Sequence, residues 1–252
     1  MKPLLLLLIA QTIIASVIGK EISTTRAETN SQRSFLSLFS STAYIKAYAF
    51  SSLQHRLVVV DEGDSTPLYG NLRKAMTQCT CEAGVNGGFF NDTKSPIGLV
   101  ISNGKLIAPV STNGFMSVGI LYDTGKTIKL ERRQKLSTPL PLIKQAIQSG
   151  PFLVENGKVV SGLNNNKKDK RTFAATDGKG NWLIGISSEL TLRELADWLA
   201  ESPPEIGFII EAALNLDGGS STAFYNKSTD TYYPSLKRVR NYIGIQSRAT
   251  PR

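Results

Sequence analysis

Apolar and polar residues alternate in short runs along most of this chain, which predicts a body of strands with few helices. Residues Lys46 to Val60 hold β-prone runs, with Leu57-Val58-Val59-Val60 the densest. Three hairpins follow from turn chemistry. Asn103-Gly104 lies between Leu99-Val100-Ile101 and Leu106-Ile107, and Asn156-Gly157 between Phe152-Leu153-Val154 and Val159-Val160. Asp177-Gly178 separates Phe173-Ala174-Ala175 from Trp182-Leu183-Ile184. Such dipeptides supply the positive φ of tight turns. Pro67 after Thr66 marks a helix start, with a helix expected over Leu68 to Met76. The clearest helix runs from about Leu192 to Ala200. Thr191 and Glu194 there form a capping-box pair, and Leu195, Trp198 and Leu199 share a face. Pro203-Pro204 stops it. A weaker helical pattern lies near Pro141 to Gln148. These elements predict an α+β fold of mainly antiparallel sheets with a few packed helices. No repeat and no composition break divides the mature part, so 35–252 reads as one domain.

The amino terminus has a different pattern. Lys2 precedes an apolar stretch from Leu4 to Gly19, broken by Gln11, Thr12 and Ser16, as in a secretory signal peptide over residues 1–19. As a helix its 16 residues reach only ~24 Å, short of the ~30 Å hydrocarbon core. Export to the periplasm or the exterior is the expectation. Retention as a membrane anchor, if the segment stays uncleaved, is the alternative. Residues 20–34 are polar and read as a flexible linker.

Composition narrows the chemistry. The chain has 252 residues, 41% hydrophobic and 19% charged, which excludes a disordered or fibrous protein. Two cysteines exclude a four-cysteine zinc site, and one histidine leaves His55 as the sole imidazole base for a nucleophilic triad. His55 lies beside Arg56 ahead of an apolar strand and reads as structural. Cys79 and Cys81, two apart, read as thiols rather than a crosslink, because an extended segment holds them near the distance limit for a bridge. The net charge is +9. No basic stretch is interleaved with aromatics, so the expected partner is an anionic glycan or phosphodiester polymer and not nucleic acid.

Four segments place glycines or cations beside polar groups. They are Val85-Asn86-Gly87-Gly88-Phe89-Phe90-Asn91, Gln148-Ser149-Gly150-Pro151, Lys168-Asp169-Lys170-Arg171-Thr172 and Leu214-Asn215-Leu216-Asp217-Gly218-Gly219-Ser220-Ser221-Thr222. In the last, Leu214 and Leu216 alternate with Asn215 and Asp217, and two glycines then let the backbone turn and approach a ligand. The peptide N–H groups after such a turn suit an anion. The bland alternative for Asp217 is a carboxylate capping the next turn. Arg171 is the best single candidate for a substrate anion, since guanidinium binds phosphate bidentately. The bland alternative is a solvated basic loop made by Lys167, Lys168, Lys170 and Arg171. Lys237, Arg238 and Arg240 form a second basic cluster.

In order, Asn-Gly-Gly-Phe-Phe at 86–90, Pro-Ile-Gly at 96–98, Ser-Gly-Pro-Phe-Leu at 149–153, Arg-Thr at 171–172, Asn-Leu-Asp-Gly-Gly-Ser-Ser-Thr at 215–222 and Asn-Tyr-Ile-Gly at 241–244 resemble the phosphodiester glycosidase family. Ala174-Ala175, where relatives often carry glycine, and the basic run at 237–240 depart from its pattern. The resemblance implies a surface cavity lined by these motifs and cleavage of a sugar-1-phosphodiester into sugar and phosphomonoester, at either the C–O or the P–O bond. A phosphate leaving group is weakly basic, so a general acid of raised pKa is dispensable there. On this reading Asp217 activates water or steadies the sugar centre. Arg171 and the N–H groups of Gly87, Gly88, Gly218 and Gly219 stabilise the phosphate. Asn86 and Asn215 orient sugar hydroxyls. Phe89, Ser149, Gly150, Thr172, Ser220, Ser221 and Asn241 complete the lining, and Glu82 and Glu211 are reserve carboxylates. No cofactor is expected. Asp217 with Asn215 offers too few oxygens to define a calcium or magnesium site. A non-catalytic envelope protein that binds glycan or anionic polymer is the alternative function.

Overall fold

All three expected hairpins close in the computed structural model, which describes residues 21–25, 43–63, 67–112 and 114–248. Asn103 and Gly104 take φ of 51° and 78°, and Asn156 and Gly157 take 50° and 69°, the left-handed pair a two-residue turn requires. The chain begins with β1 (Glu21–Thr25), β2 (Tyr44–Ser51), β3 (His55–Asp61), α1 (Leu72–Gln78), β4 (Ala83–Asn86), β5 (Val100–Ser102) and β6 (Lys105–Ala108). It continues through β7 (Gly119–Asp123), β8 (Ile128–Arg132), β9 (Gln145–Ser149), β10 (Phe152–Glu155), β11 (Lys158–Val159) and β12 (Asp169–Thr176). It ends with β13 (Asn181–Leu190), α2 (Leu192–Glu201), β14 (Ala212–Asn215), β15 (Phe224–Asn226), β16 (Thr231–Tyr233) and β17 (Asn241–Ser247).

The strands build three antiparallel sheets. Their orders are β1-β2-β13-β12-β14-β10-β11, β16-β15-β4-β17-β3 and β6-β5-β9-β7-β8. The central core lies where they face one another and contains Phe50, Val85, Leu121, Ile147, Leu214 and Phe224. On the far side of the seven-stranded sheet, α2 buries Leu195, Ala196 and Leu199 against Leu153, Phe173, Ala175 and Ala213. Each buried leucine contributes about 1.5–3 kcal/mol. Side chains alternate along a strand, so with Phe173 and Ala175 facing α2, Thr172 and Ala174 face the central core. The short helix α1 covers the second sheet with Leu72, Ala75 and Met76.

Four expectations change. The first helix starts at Leu72, not Leu68, because the Asn71 side chain caps it by accepting from Lys74 N at 3.0 Å. The pattern near 141–148 becomes a short 3-10 turn, Leu140–Leu142, and then β9. Every residue of β9 is buried, between β5 and β7, and this pairing outweighs a weak helical preference. Within the expected linker, Glu21–Thr25 is a strand that pairs with β2 and buries Ile22. Backbone groups at the sheet edge recruit it despite its polar composition. Finally, Cys79 and Cys81 form a disulfide. The segment is not extended: Cys79 caps α1 and Thr80 has a φ of 53°, which brings the two Cα atoms to 5.3 Å.

The signal segment, residues 1–19, lies outside the described residues. Among those described, no helix is long and apolar enough to cross a membrane.

Candidate active site

The glycine-rich loops meet where β4, β9 and β14 end and β17 begins. Asn86, the last residue of β4, is fully buried. Its Nδ2 donates to the Asp217 carbonyl at 2.6 Å, and its Oδ1 accepts from Thr172 Oγ1 at 2.8 Å and Ala223 N at 3.0 Å. Gly87 N donates to the Asn241 carbonyl at 2.9 Å, while the Gly87 carbonyl accepts from Asp217 N at 3.1 Å. Gly88 N donates to Asn241 Oδ1 at 2.9 Å. A Cβ on Gly87 would run into that oxygen, so the close approach requires glycine. Asn215 ties in the third loop, donating through Nδ2 to the Gly150 carbonyl at 3.1 Å and through its N–H to the Pro151 carbonyl at 2.9 Å.

Asp217 stands at this junction and is 8% exposed. Burial pushes its carboxyl above the ordinary aspartate value. The Ser221 hydroxyl, the Lys237 charge and the Gly218 N–H oppose the rise, and Asp169 adds to it. Lys237 is carried there by the 3-10 turn Gly219–Ser221, since the Ser220 carbonyl accepts from Leu236 N at 2.8 Å and Lys237 N at 3.2 Å. Gly219, at a φ of 61°, leaves room for the Asp169 carboxylate, which a Cβ would meet at 3.1 Å.

Of the expected substrate contacts, Asn86, Ser149, Thr172, Ser221 and Asn241 are at most 1% exposed. Of these, Asn86, Thr172 and Asn241 hold the loops together from beneath through their side chains. Phe89, Gly218, Gly219 and Ser220 reach the surface. Four buried atoms of these motifs, Ser149 Oγ, Asn215 Oδ1, Ser221 Oγ and Asn241 Nδ2, have no hydrogen-bond partner in the protein.

Arg171 differs from the expectation. Its Nε donates to the Leu190 carbonyl at 2.8 Å and an Nη to the Lys167 carbonyl at 2.7 Å. It feels Asp169 and Glu194, on the side that carries α2, and burial lowers its pKa from the ordinary value. Its neighbour Thr172 points the opposite way, to Asn86. The structure therefore brings Lys237 into electrostatic range of Asp217, though not into salt-bridge contact, and directs the Arg171 guanidinium to loop carbonyls. The backbone of Lys170 and Arg171 does support the site, because a Cβ on Gly218 would lie 2.7 Å from the Lys170 carbonyl. Lys168 pairs with Glu194 at 3.4 Å, and Lys167 is exposed.

The basic run at 237–240 is not one solvent-facing patch. Arg240 is 3% exposed and bidentate to Asp61 at 2.7 and 3.0 Å, and Arg238 donates to the Gly63 carbonyl at 3.2 Å. The reserve carboxylates lie elsewhere. Glu82 accepts from Tyr48 Oη at 2.8 Å and faces His55 Nε2 at 3.2 Å, so the single histidine is structural. Glu211 lines an open cleft of about 430 Å³ with Glu155, Thr176 and Trp182. That cleft adjoins the start of β14, roughly 16 Å of chain from Asp217. Among the described residues no group of three His, Cys, Asp or Glu is placed to hold a metal ion. Asp169 and Lys94 sit at no distinctive spacing in the sequence, so nothing local marks either of them.

Residues 80–246 match the family model described as phosphodiester glycosidase, about two thirds of the chain. The chain belongs to the phosphodiester glycosidase family. A curated relative, the uncharacterized protein YigE of Escherichia coli (strain K12), is 24% identical over 189 residues, covering 70% of this chain and 72% of its own. The fold resembles the catalytic domain of zebrafish N-acetylglucosamine-1-phosphodiester alpha-N-acetylglucosaminidase, auto-inhibited by its pro-peptide, with a TM-score of 0.66 at 15% identity. That match covers 91% of this chain and 83% of the zebrafish one. A presumed exported protein of Burkholderia pseudomallei K96243 matches with a TM-score of 0.57 at 13% identity, over 81% of this chain and 74% of its own. The antiparallel α+β architecture expected from the pattern is thus the family's.

Proposed function

We propose that this chain is an exported hydrolase of a sugar-1-phosphodiester in cell-envelope or exopolysaccharide material, and that Asp217 acts at the sugar carbon. The observation that carries this reading is the convergence of five separated motif segments on one buried carboxylate with a lysine in electrostatic range of it. Water attacks C1, the C1–O bond breaks with its electron pair on the phosphate oxygen, and the Asp217 carboxylate takes the water proton. The products are the free sugar and a phosphomonoester. The exposed Gly218-Gly219-Ser220 turn lies against the substrate, and Asn86, Thr172 and Asn241 keep it in place. Arg171 is a positioning residue, pinning the loop at Lys167 against the end of β13. Export is supported by the amino-terminal apolar segment and by the presumed exported relative.

The test is incubation of the mature chain with a panel of sugar-1-phosphodiesters in isotope-labelled water. Release of sugar carrying the label is the expected result. Binding without release across the panel would favour a non-catalytic glycan-binding protein. The pH profile carries a further prediction. Asp217 must be ionised to accept a proton, and its folded pKa is raised, so the acid limb of kcat/KM should fall above the usual carboxylate range of about 4. Lys237→Met removes a charge that opposes this rise, and should move the limb to still higher pH. A limb that stays at about 4 in both proteins would take Asp217 out of the proton transfer.

A further inference from the structure

Two ammonium groups from distant parts of the chain converge on one aromatic ring beside the site. Lys94 Nζ lies 4.8 Å from the Phe90 ring centroid and Lys237 Nζ lies 4.9 Å from it. Among the described residues neither has a carboxylate at salt-bridge distance. Bringing two like charges together without an acid between them is unfavourable, and the attraction of each to the ring offsets it only modestly.

The backbone nevertheless fixes both. Lys94 has a φ of 66°, its N–H donates to the Asn91 carbonyl at 2.9 Å, and its carbonyl accepts from the buried Arg240 at 3.1 Å. Arg240 is itself locked to Asp61. Lys237 hangs from the Ser220 carbonyl, within the turn that follows Asp217. Phe90 bridges to Pro96 and stands two residues beyond Gly88. The ring and the two cations thus border the same loops that enclose Asp217.

We propose that Lys94 and Lys237, spread over Phe90, form the seat for the phosphoryl leaving group, a role the sequence had pointed to Arg171 for. This rests on the reading of the site as a phosphodiester glycosidase centre. A phosphodiester carries one negative charge. When the C1–O bond breaks, the departing phosphomonoester gains a second. A pair of ammonium groups binds the dianion better than the monoanion, so the attraction grows along the reaction and lowers the barrier rather than merely tightening substrate binding. The seat selects esters whose phosphate stands clear of bulky groups, and it retains the phosphomonoester product as a competitive inhibitor.

Lys94→Met, Lys237→Met and the double variant test this with two readouts. The first is calorimetric titration of the full chain with inorganic phosphate, which needs no turnover. Each single change should weaken phosphate binding about tenfold, and the double change more. The second is steady-state hydrolysis, in which kcat should fall by more than KM rises. Unchanged phosphate affinity in the double variant would overturn the seat, whether or not the wild type hydrolyses the diester. Lysine-dependent phosphate binding by a chain that hydrolyses no diester would sink the glycosidase reading and leave the seat standing.

Discussion

Asp217→Asn should lower hydrolysis by about 10²–10⁴-fold while leaving the folded chain as stable as before or more so. The amide keeps the size and polarity of the side chain. It cannot take a proton from water or oppose positive charge at the sugar carbon. The stability half follows from linkage. The folded pKa of Asp217 is raised, so the fold prefers the protonated acid. Its favourable contribution is therefore complete below the unfolded value of about 3.9 and is lost as pH rises through the folded pKa. At neutral pH the wild type holds an ionised carboxylate that burial disfavours, and asparagine is relieved of it. Urea titrations at pH 7 and at low pH should show the variant level with or above the wild type at pH 7, with the gap shifting toward the wild type in acid. A carboxylate that only capped a turn would give the opposite sign. Hydrolysis retained within a few-fold would remove Asp217 from the reaction.

The largest structural effect is expected at Asn86. Asn86→Ala should cost about 3–5 kcal/mol, because it strands the Asp217 carbonyl and the Ala223 N–H and leaves the Thr172 hydroxyl only a long bond to Thr222 Oγ1 at 3.4 Å. Each buried group left unpaired costs ~1–3 kcal/mol, and partial relaxation keeps the sum below the maximum. Typical domains have only about 5–15 kcal/mol in hand, so the variant should approach unfolding at physiological temperature. Asn86→Asp keeps the shape but turns an oxygen toward the Asp217 carbonyl and buries a charge, and should be destabilised as well. Thr172→Val removes one hydroxyl from the same knot and should cost only about 1 kcal/mol. Chemical denaturation with an unchanged m-value checks the set. A loss below 1 kcal/mol in Asn86→Ala would mean that the knot does not hold the site.

Local chemistry made much of the fold legible. The hairpins at 103–104 and 156–157 depend on two residues that tolerate positive φ, and α2 on a capping box plus an apolar stripe ended by prolines. Each is decided within a few residues. β9 and the disulfide were not legible, because a fully buried strand takes its state from β5 and β7, and the reach between Cys79 and Cys81 depends on how α1 ends.

The candidate site divides along the same line. The order of the glycine-rich segments, and Asp217 followed by two glycines, are visible in the chain itself, since a sharp turn beside a carboxylate needs those residue types. Which of two adjacent residues faces the site is not visible there. Arg171 and Thr172 are neighbours in a strand, and alternation sends one toward α2 and the other toward Asn86. Only the stacking of the sheets settles which side is which. Likewise Lys94 and Lys237 lie 143 positions apart in the chain, and nothing short of the packed sheets could set both on Phe90. Backbone preference acts over a handful of residues, whereas burial and charge act through space, and the chain's own order does not encode that distance.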